Sequence, residues 1–133
     1  MLSTRIRSLP DVGGFRQLRS LILVDCGINQ SLPTLDGLDS LETLDVRRNR
    51  LRQLPASVGQ CRRLRTLRLS HNAMRQLPPE LGQLDSSLTT LDCAFNRLKQ
   101  LNTHLVRCTQ LRSLLVRRCL KLCYRSIANG IFQ

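Results

Sequence analysis

The sequence has no tryptophan, one tyrosine and three phenylalanines, so aromatic residues make up only 3% of its 133 residues. An irregular globule fills the awkward corners of its core with aromatic side chains, and this chain has almost none to use. Acid is scarce too: nine aspartates and glutamates stand against 21 lysines and arginines, a formal charge of +12. Histidine occurs twice, at His71 and His104, and there is no paired carboxylate, nucleophile elbow or phosphate-cradling Gly-rich loop. No catalytic residue and no cofactor are assigned. The longest apolar runs fall far short of the roughly 20 residues a bilayer-crossing helix requires, so no membrane span is expected.

Leucine is what the chain has in excess, 28 residues of 133. Leu18, Leu41, Leu64, Leu88 and Leu111 are separated by 23, 23, 24 and 23 residues, and each is followed three places on by Leu21, Leu44, Leu67, Leu91 or Leu114. Two further on stand Leu23, Val46, Leu69, Cys93 and Val116; three beyond those come Cys26, Asn49, Asn72, Asn96 and Cys119. A period of this length is the mark of a stacked repeat. The alternation Leu44-Asp45-Val46, Leu67-Arg68-Leu69, Leu91-Asp92-Cys93 predicts one short strand per unit, apolar inward and polar outward. Successive units then form a parallel sheet. The asparagines fall where each strand turns, and their amides can satisfy turn backbone groups and bridge to the next coil. Pro55 and Pro78-Pro79 read as the starts of helical turns on the far side, ended by Gly59 and Gly82.

The units LETLDVRRNRLRQLPASVGQCRR, LRTLRLSHNAMRQLPPELGQLDSS and LTTLDCAFNRLKQLNTHLVRCTQ resemble the leucine-rich repeat family. Their Leu-Pro step and Gly-Gln-Leu tail are similar to the intracellular Ras-suppressor and LAP-type (Scribble-like, Erbin-like) subclass. The resemblance covers residues 18–118, with 6–17 (Ile6, Leu9-Pro10, Val12, Phe15) as the tail of an earlier unit. It implies an α/β repeat, a leucine-rich repeat solenoid with a curved parallel sheet, and helical turns or irregular chain on the convex side. The expected organisation is one domain over 1–133: a partial first repeat at 1–17, main repeats at 18–118, and a degenerate last unit or C-terminal cap at 119–133. For function the resemblance implies a protein-binding scaffold in signalling, polarity or cytoskeletal assemblies.

The six cysteines sit in repeat columns otherwise filled by leucine, valine or asparagine, which predicts free thiols acting as small hydrophobes. The first residues, MLSTRIR, carry charge where a secretory signal would need an apolar stretch. Together these predict a reducing, cytoplasmic setting. Cys119 and Cys123 have no second Cys or His pair near them, so no metal site is assigned.

Arginine supplies 19 of the 21 basic residues, and the repeat register sorts them onto two surfaces. The concave sheet face collects Asp45, Arg47, Arg48, Arg68, His71, Asp92, Phe95, Arg117 and Arg118, the candidate partner-binding set. Strands about 4.8 Å apart let Asp45, Arg68 and Asp92 pair laterally. Phe95 between His71 and Arg118 has the make-up of an interaction hot spot. A flank beyond the asparagines carries Arg50, Arg52, Arg75, Arg97 and Lys99 with no acid among them. The expected ligand of the concave face is a protein with acidic segments; nucleic acid on the flank is the alternative. The exposed ends of such a stack allow a monomer or end-to-end association.

Overall fold

The computed structural model describes residues 9–29, 31–101 and 103–119. Five three-residue strands, β1 (Ser20–Ile22), β2 (Thr43–Asp45), β3 (Thr66–Arg68), β4 (Thr90–Asp92) and β5 (Ser113–Leu115), form one parallel sheet in chain order. The register is that of the repeats: Leu21, Leu44, Leu67, Leu91 and Leu114 lie side by side, and Asp45 pairs with Arg68, Arg68 with Asp92. The ladder continues beyond the strands. The amide of Val46 donates to the Arg68 carbonyl at 3.0 Å, that of Leu69 to Asp92 at 2.6 Å, and that of Cys93 to Leu115 at 2.9 Å.

Opposite the sheet the chain forms three short 3₁₀ turns, Ala56–Gln60, Pro79–Gln83 and Thr103–Arg107. Pro55 and Pro78 cap the first two, as expected from residues whose missing amide costs nothing at a helix start. No proline announces the third. Gly59 and Gly82 do not end their turns; they lie one residue inside the last position. Their role is close approach, because a Cβ on Gly59 would meet the Glu80 carbonyl oxygen at 2.6 Å and one on Gly82 the His104 carbonyl oxygen at 2.9 Å. The convex turns thus touch backbone to backbone.

Between sheet and turns lies a single leucine column stack. Leu41, Leu44, Leu51, Leu64, Leu67, Leu69, Leu88, Leu91 and Leu98 are fully buried, together with Val46, Met74 and Cys93. Each fully buried leucine contributes roughly 1.5–3 kcal/mol of transfer energy, and every one depends on the repeat beside it. Packing weakens toward the first repeat: Val12 is buried, but Phe15, which shares a column with buried Leu38 and Cys61, is 60% exposed. Ile6 and the expected last unit, Cys119 excepted, lie outside the described residues.

The asparagines bind as the pattern requires, with one correction of direction. Each reaches back to the preceding coil, not on to the next. Asn49 Nδ2 donates to Leu23 O (2.7 Å) and Val46 O (2.9 Å), while its Oδ1 accepts from the amides of Cys26 and Ile28, both at 3.1 Å. Asn72 spans Val46 O, Leu69 O and the Leu51 amide; Asn96 spans Leu69 O, Cys93 O and the Met74 amide. At the last of these positions the Cys119 thiol donates to Cys93 O at 3.1 Å, replacing one of the amide's bonds with a weaker donor. Cys26, Cys61, Cys93, Cys108 and Cys119 are free thiols, as expected; Cys123 is outside the described residues.

Asn72→Ala leaves the Leu51 amide without its asparagine partner and takes one of two asparagine bonds from each of the Val46 and Leu69 carbonyls, a loss of about 1–3 kcal/mol for a buried group. Arg75→Ala, at an exposed position one turn on, should change stability by no more than about 0.5 kcal/mol. Urea unfolding of the two variants measures the difference, and equal midpoints would refute the asparagine's role.

Candidate functional site: the concave face

The concave face is built by alternation. Positions five and seven of each unit point the same way, so Asp45 and Arg47 emerge side by side from the end of β2. The Arg47 guanidinium grips the Asp45 carboxylate with two bonds of 2.8 Å, Nε to Oδ1 and Nη2 to Oδ2, and its backbone amide reaches Oδ1 at 3.3 Å. Arg68 adds a longer contact from β3, Nη1 to Oδ2 at 3.7 Å. The expected lateral ladder is therefore only half present. Among the described residues no ion pair joins Arg68 to Asp92, whose Oδ1 accepts the Ala94 amide at 3.2 Å. Arg68, which lies between Asp45 and Asp92 in the register, reaches Asp45 and not Asp92.

This cluster is more than a wet surface pair. Asp45 is 3% exposed, covered by the two guanidiniums. Burial alone would raise its carboxyl pKa; the bonds from the Arg47 side chain and amide, with the charges of Arg47 and Arg68, more than offset that and hold it below the usual value. Arg47 is raised in return, first by its bond to Asp45.

A second cluster lies one column further along. The rings of His71 and Phe95 stack at 4.2 Å between centroids and 10° between planes. Arg117 and Arg118 each stand 5.8 Å from the Phe95 centroid, within cation–π range. Phe95 is accordingly half-buried, its outer edge open. Arg48 belongs to the same column but is exposed and joins neither cluster. The column has a backbone property that sequence reading missed. Asp25, Arg48, His71, Phe95 and Arg118 all have φ between 54° and 59°. Left-handed backbone costs a non-glycine residue about 1–2 kcal/mol. Here it is held by the inter-repeat bonds of the same residues, Arg48 amide to Ser70 O (3.1 Å), His71 to Ala94 O (3.1 Å) and Phe95 to Arg117 O (2.9 Å). The kink throws position-eight side chains along the rim of the face and turns the next residue, asparagine, inward.

The basic flank is also in place. Arg50, Arg52, Arg75, Arg97 and Lys99 are all exposed, and the amides of Arg50, Arg97 and Lys99 donate to Ile28, Met74 and Arg75 of the preceding coil, which stacks the row. Among the described residues none of the five has an ion pair. Cys61 and Cys93 are poor nucleophiles: burial, then the charges of Asp36 and Asp39, push Cys61 up to about 11, and the bond to Cys119 and burial raise Cys93, whereas the same bond lowers Cys119. Among the described residues no three His, Cys, Asp or Glu side chains converge as metal ligands.

Because Asp45 titrates lower folded than unfolded, its stabilisation is complete above the unfolded value of about 3.9 and is lost as pH falls through the lower folded value. Wild-type stability should therefore drop below about pH 4, and part of that drop should be missing from Asp45→Asn. At pH 7 the same variant should lose about 1.5–3 kcal/mol, the range for bonds to a charged group. Urea midpoints from pH 3 to 7 test both; parallel curves for the two proteins would remove the cluster's structural role.

The structure is similar to that of a leucine-rich repeat protein from Leptospira interrogans, with a TM-score of 0.61 and 24% sequence identity, over 91% of this chain and 40% of that one. The chain thus spans well under half the length of this structural relative. No curated protein matches the sequence. The leucine rich repeat family model matches residues 16–74, which hold β1, β2, β3 and the first convex turn. Residues 16–74 thus match the leucine-rich repeat family in sequence, and the five-strand stack as a whole has the leucine-rich repeat fold.

Proposed function

We propose that the protein is a non-catalytic scaffold that holds a protein partner with acidic segments on its concave face. The observation that carries this reading is the pairing of a fixed arginine cluster, Arg47 and Arg68 on Asp45, with the His71–Phe95 stack between Arg117 and Arg118. A half-buried aromatic with cations packed against it is already ordered before a partner arrives, so less conformational entropy is lost on binding. The face carries Ile22 and Leu115, both exposed, at its two ends, which supplies apolar contacts around the charged centre.

The proposal extends, on the motif resemblance to Ras-suppressor and LAP-type repeats, to a role in signalling, polarity or cytoskeletal assemblies in a reducing cytoplasmic compartment. Support for the compartment comes from five unpaired cysteines, four of them buried. A second reading, nucleic-acid binding through Arg50, Arg52, Arg75, Arg97 and Lys99, draws on one observation: residues 46–79 contain nine arginines and no acid. Among the described residues Phe95 is the one phenylalanine on the sheet face, and stacking on bases generally requires more.

The triple variant Phe95→Ala, Arg48→Glu, Arg118→Glu removes no core side chain and should stay within about 1 kcal/mol of wild type. Pull-downs with identification of bound species should show the wild-type partner lost from this variant and kept by one with the five flank residues changed to glutamine. The reverse result, together with RNA retention that falls steeply between about 50 and 200 mM salt, would move the site to the flank.

A further inference from the structure

The rim where the chain enters each strand holds a cleft of about 590 Å³ that neither the concave face nor the basic flank includes. Position two of successive units lines it, Glu42, Arg65, Thr89 and Arg112, and the ends of the preceding coils add Arg62 and Arg63. Four guanidiniums thus face one opening beside a single carboxylate. Arg65 and Arg112 are two strands apart, about 9.6 Å along the sheet, with Thr89 between them. Arg62 uses one N–H on the Gln83 carbonyl, Nη1 to O at 3.2 Å, which leaves the rest of its fork free. Among the described residues none of the four has an ion pair.

A second observation points the same way. Ser87 lines this cleft, and its hydroxyl is buried without a hydrogen-bond partner, which among the described residues is true of no other buried side-chain N or O atom. A buried polar group left unpaired is costly and calls for an explanation. Thr89, by contrast, has spent its hydroxyl on the Arg65 carbonyl at 3.1 Å. The cleft therefore combines an unpartnered hydroxyl with four guanidinium forks whose planar geometry matches an oxyanion.

We propose that this cleft binds a phosphoryl group. Its excess of three positive charges suits a monoester dianion or a diphosphate better than a sulfate monoester or a carboxylate, each with a single charge. The site is the same whether that group belongs to a small phosphorylated molecule or to a phosphorylated side chain of a protein. It does not depend on what the concave face binds.

Calorimetric titration of the whole protein with inorganic pyrophosphate at about 150 mM salt tests it. Saturable one-to-one binding is expected. Arg65→Gln with Arg112→Gln, both exposed positions, should weaken it tenfold or more with an unchanged urea midpoint. Ser87→Ala should weaken it several-fold without lowering stability, since the hydroxyl has no partner to lose. The five-glutamine flank variant should bind as wild type. A phosphoserine peptide that binds more tightly than both pyrophosphate and its unphosphorylated form would assign the group to a protein; pyrophosphate binding alone would assign it to a small molecule. Two results overturn the proposal: no saturation at millimolar pyrophosphate, or equal loss from cleft and flank variants, which would reduce the effect to net charge.

Discussion

The asparagine that follows each of the three central strands is the interaction on which the fold depends. A three-residue strand cannot end inside a hydrophobic stack unless the carbonyls and amides of its turn find partners. Asn49, Asn72 and Asn96 supply both kinds from one side chain and tie each of their coils to its predecessor. Leucine then packs between coils already set at fixed spacing. Without the amide, the same leucines would still collapse, but nothing would set the register of one coil upon another.

The distribution of charge follows from that frame. Because the sheet register is fixed by the stack, each column of side chains runs as a straight line across the protein, and its composition decides what that line does. The central column places Asp45 beside Arg47 and the Arg68 of the next strand, giving a cross-linked patch in which one carboxylate holds two guanidiniums. The column at the leading rim has almost no acid, and the guanidiniums there stay open. The same residue type is structural in one row and available in another; what differs is whether a carboxylate lies within reach.

Most of the architecture was legible because period and polarity report it directly. The strand positions, the buried leucine columns and the inward asparagines follow from spacing alone, and residues 16–74 match the family. What escaped was whatever depends on three-dimensional competition. The bidentate grip of Arg47 on Asp45 is not written in the central column, and Arg68, flanked by two aspartates in the register, reaches Asp45 while Asp92 accepts the Ala94 amide. Gly59 and Gly82 look like turn terminators in sequence, but the constraint on them is the neighbouring coil's carbonyl oxygen. The rim cleft mixes residues from the ends of some units with the second position of others, so no single repeat displays it.

The left-handed column has a consequence for how such a face can diversify. Asp25, Arg48, His71, Phe95 and Arg118 range from acid through base to aromatic, yet none is β-branched. A branched Cβ is a true outlier at positive φ, whereas charged, imidazole and phenyl side chains carried on a CH₂ are accommodated. The edge of the binding face is therefore written in a restricted vocabulary, closed to valine, isoleucine and threonine. Within it, charge and aromaticity can be exchanged freely from one repeat to the next while the backbone beneath stays the same.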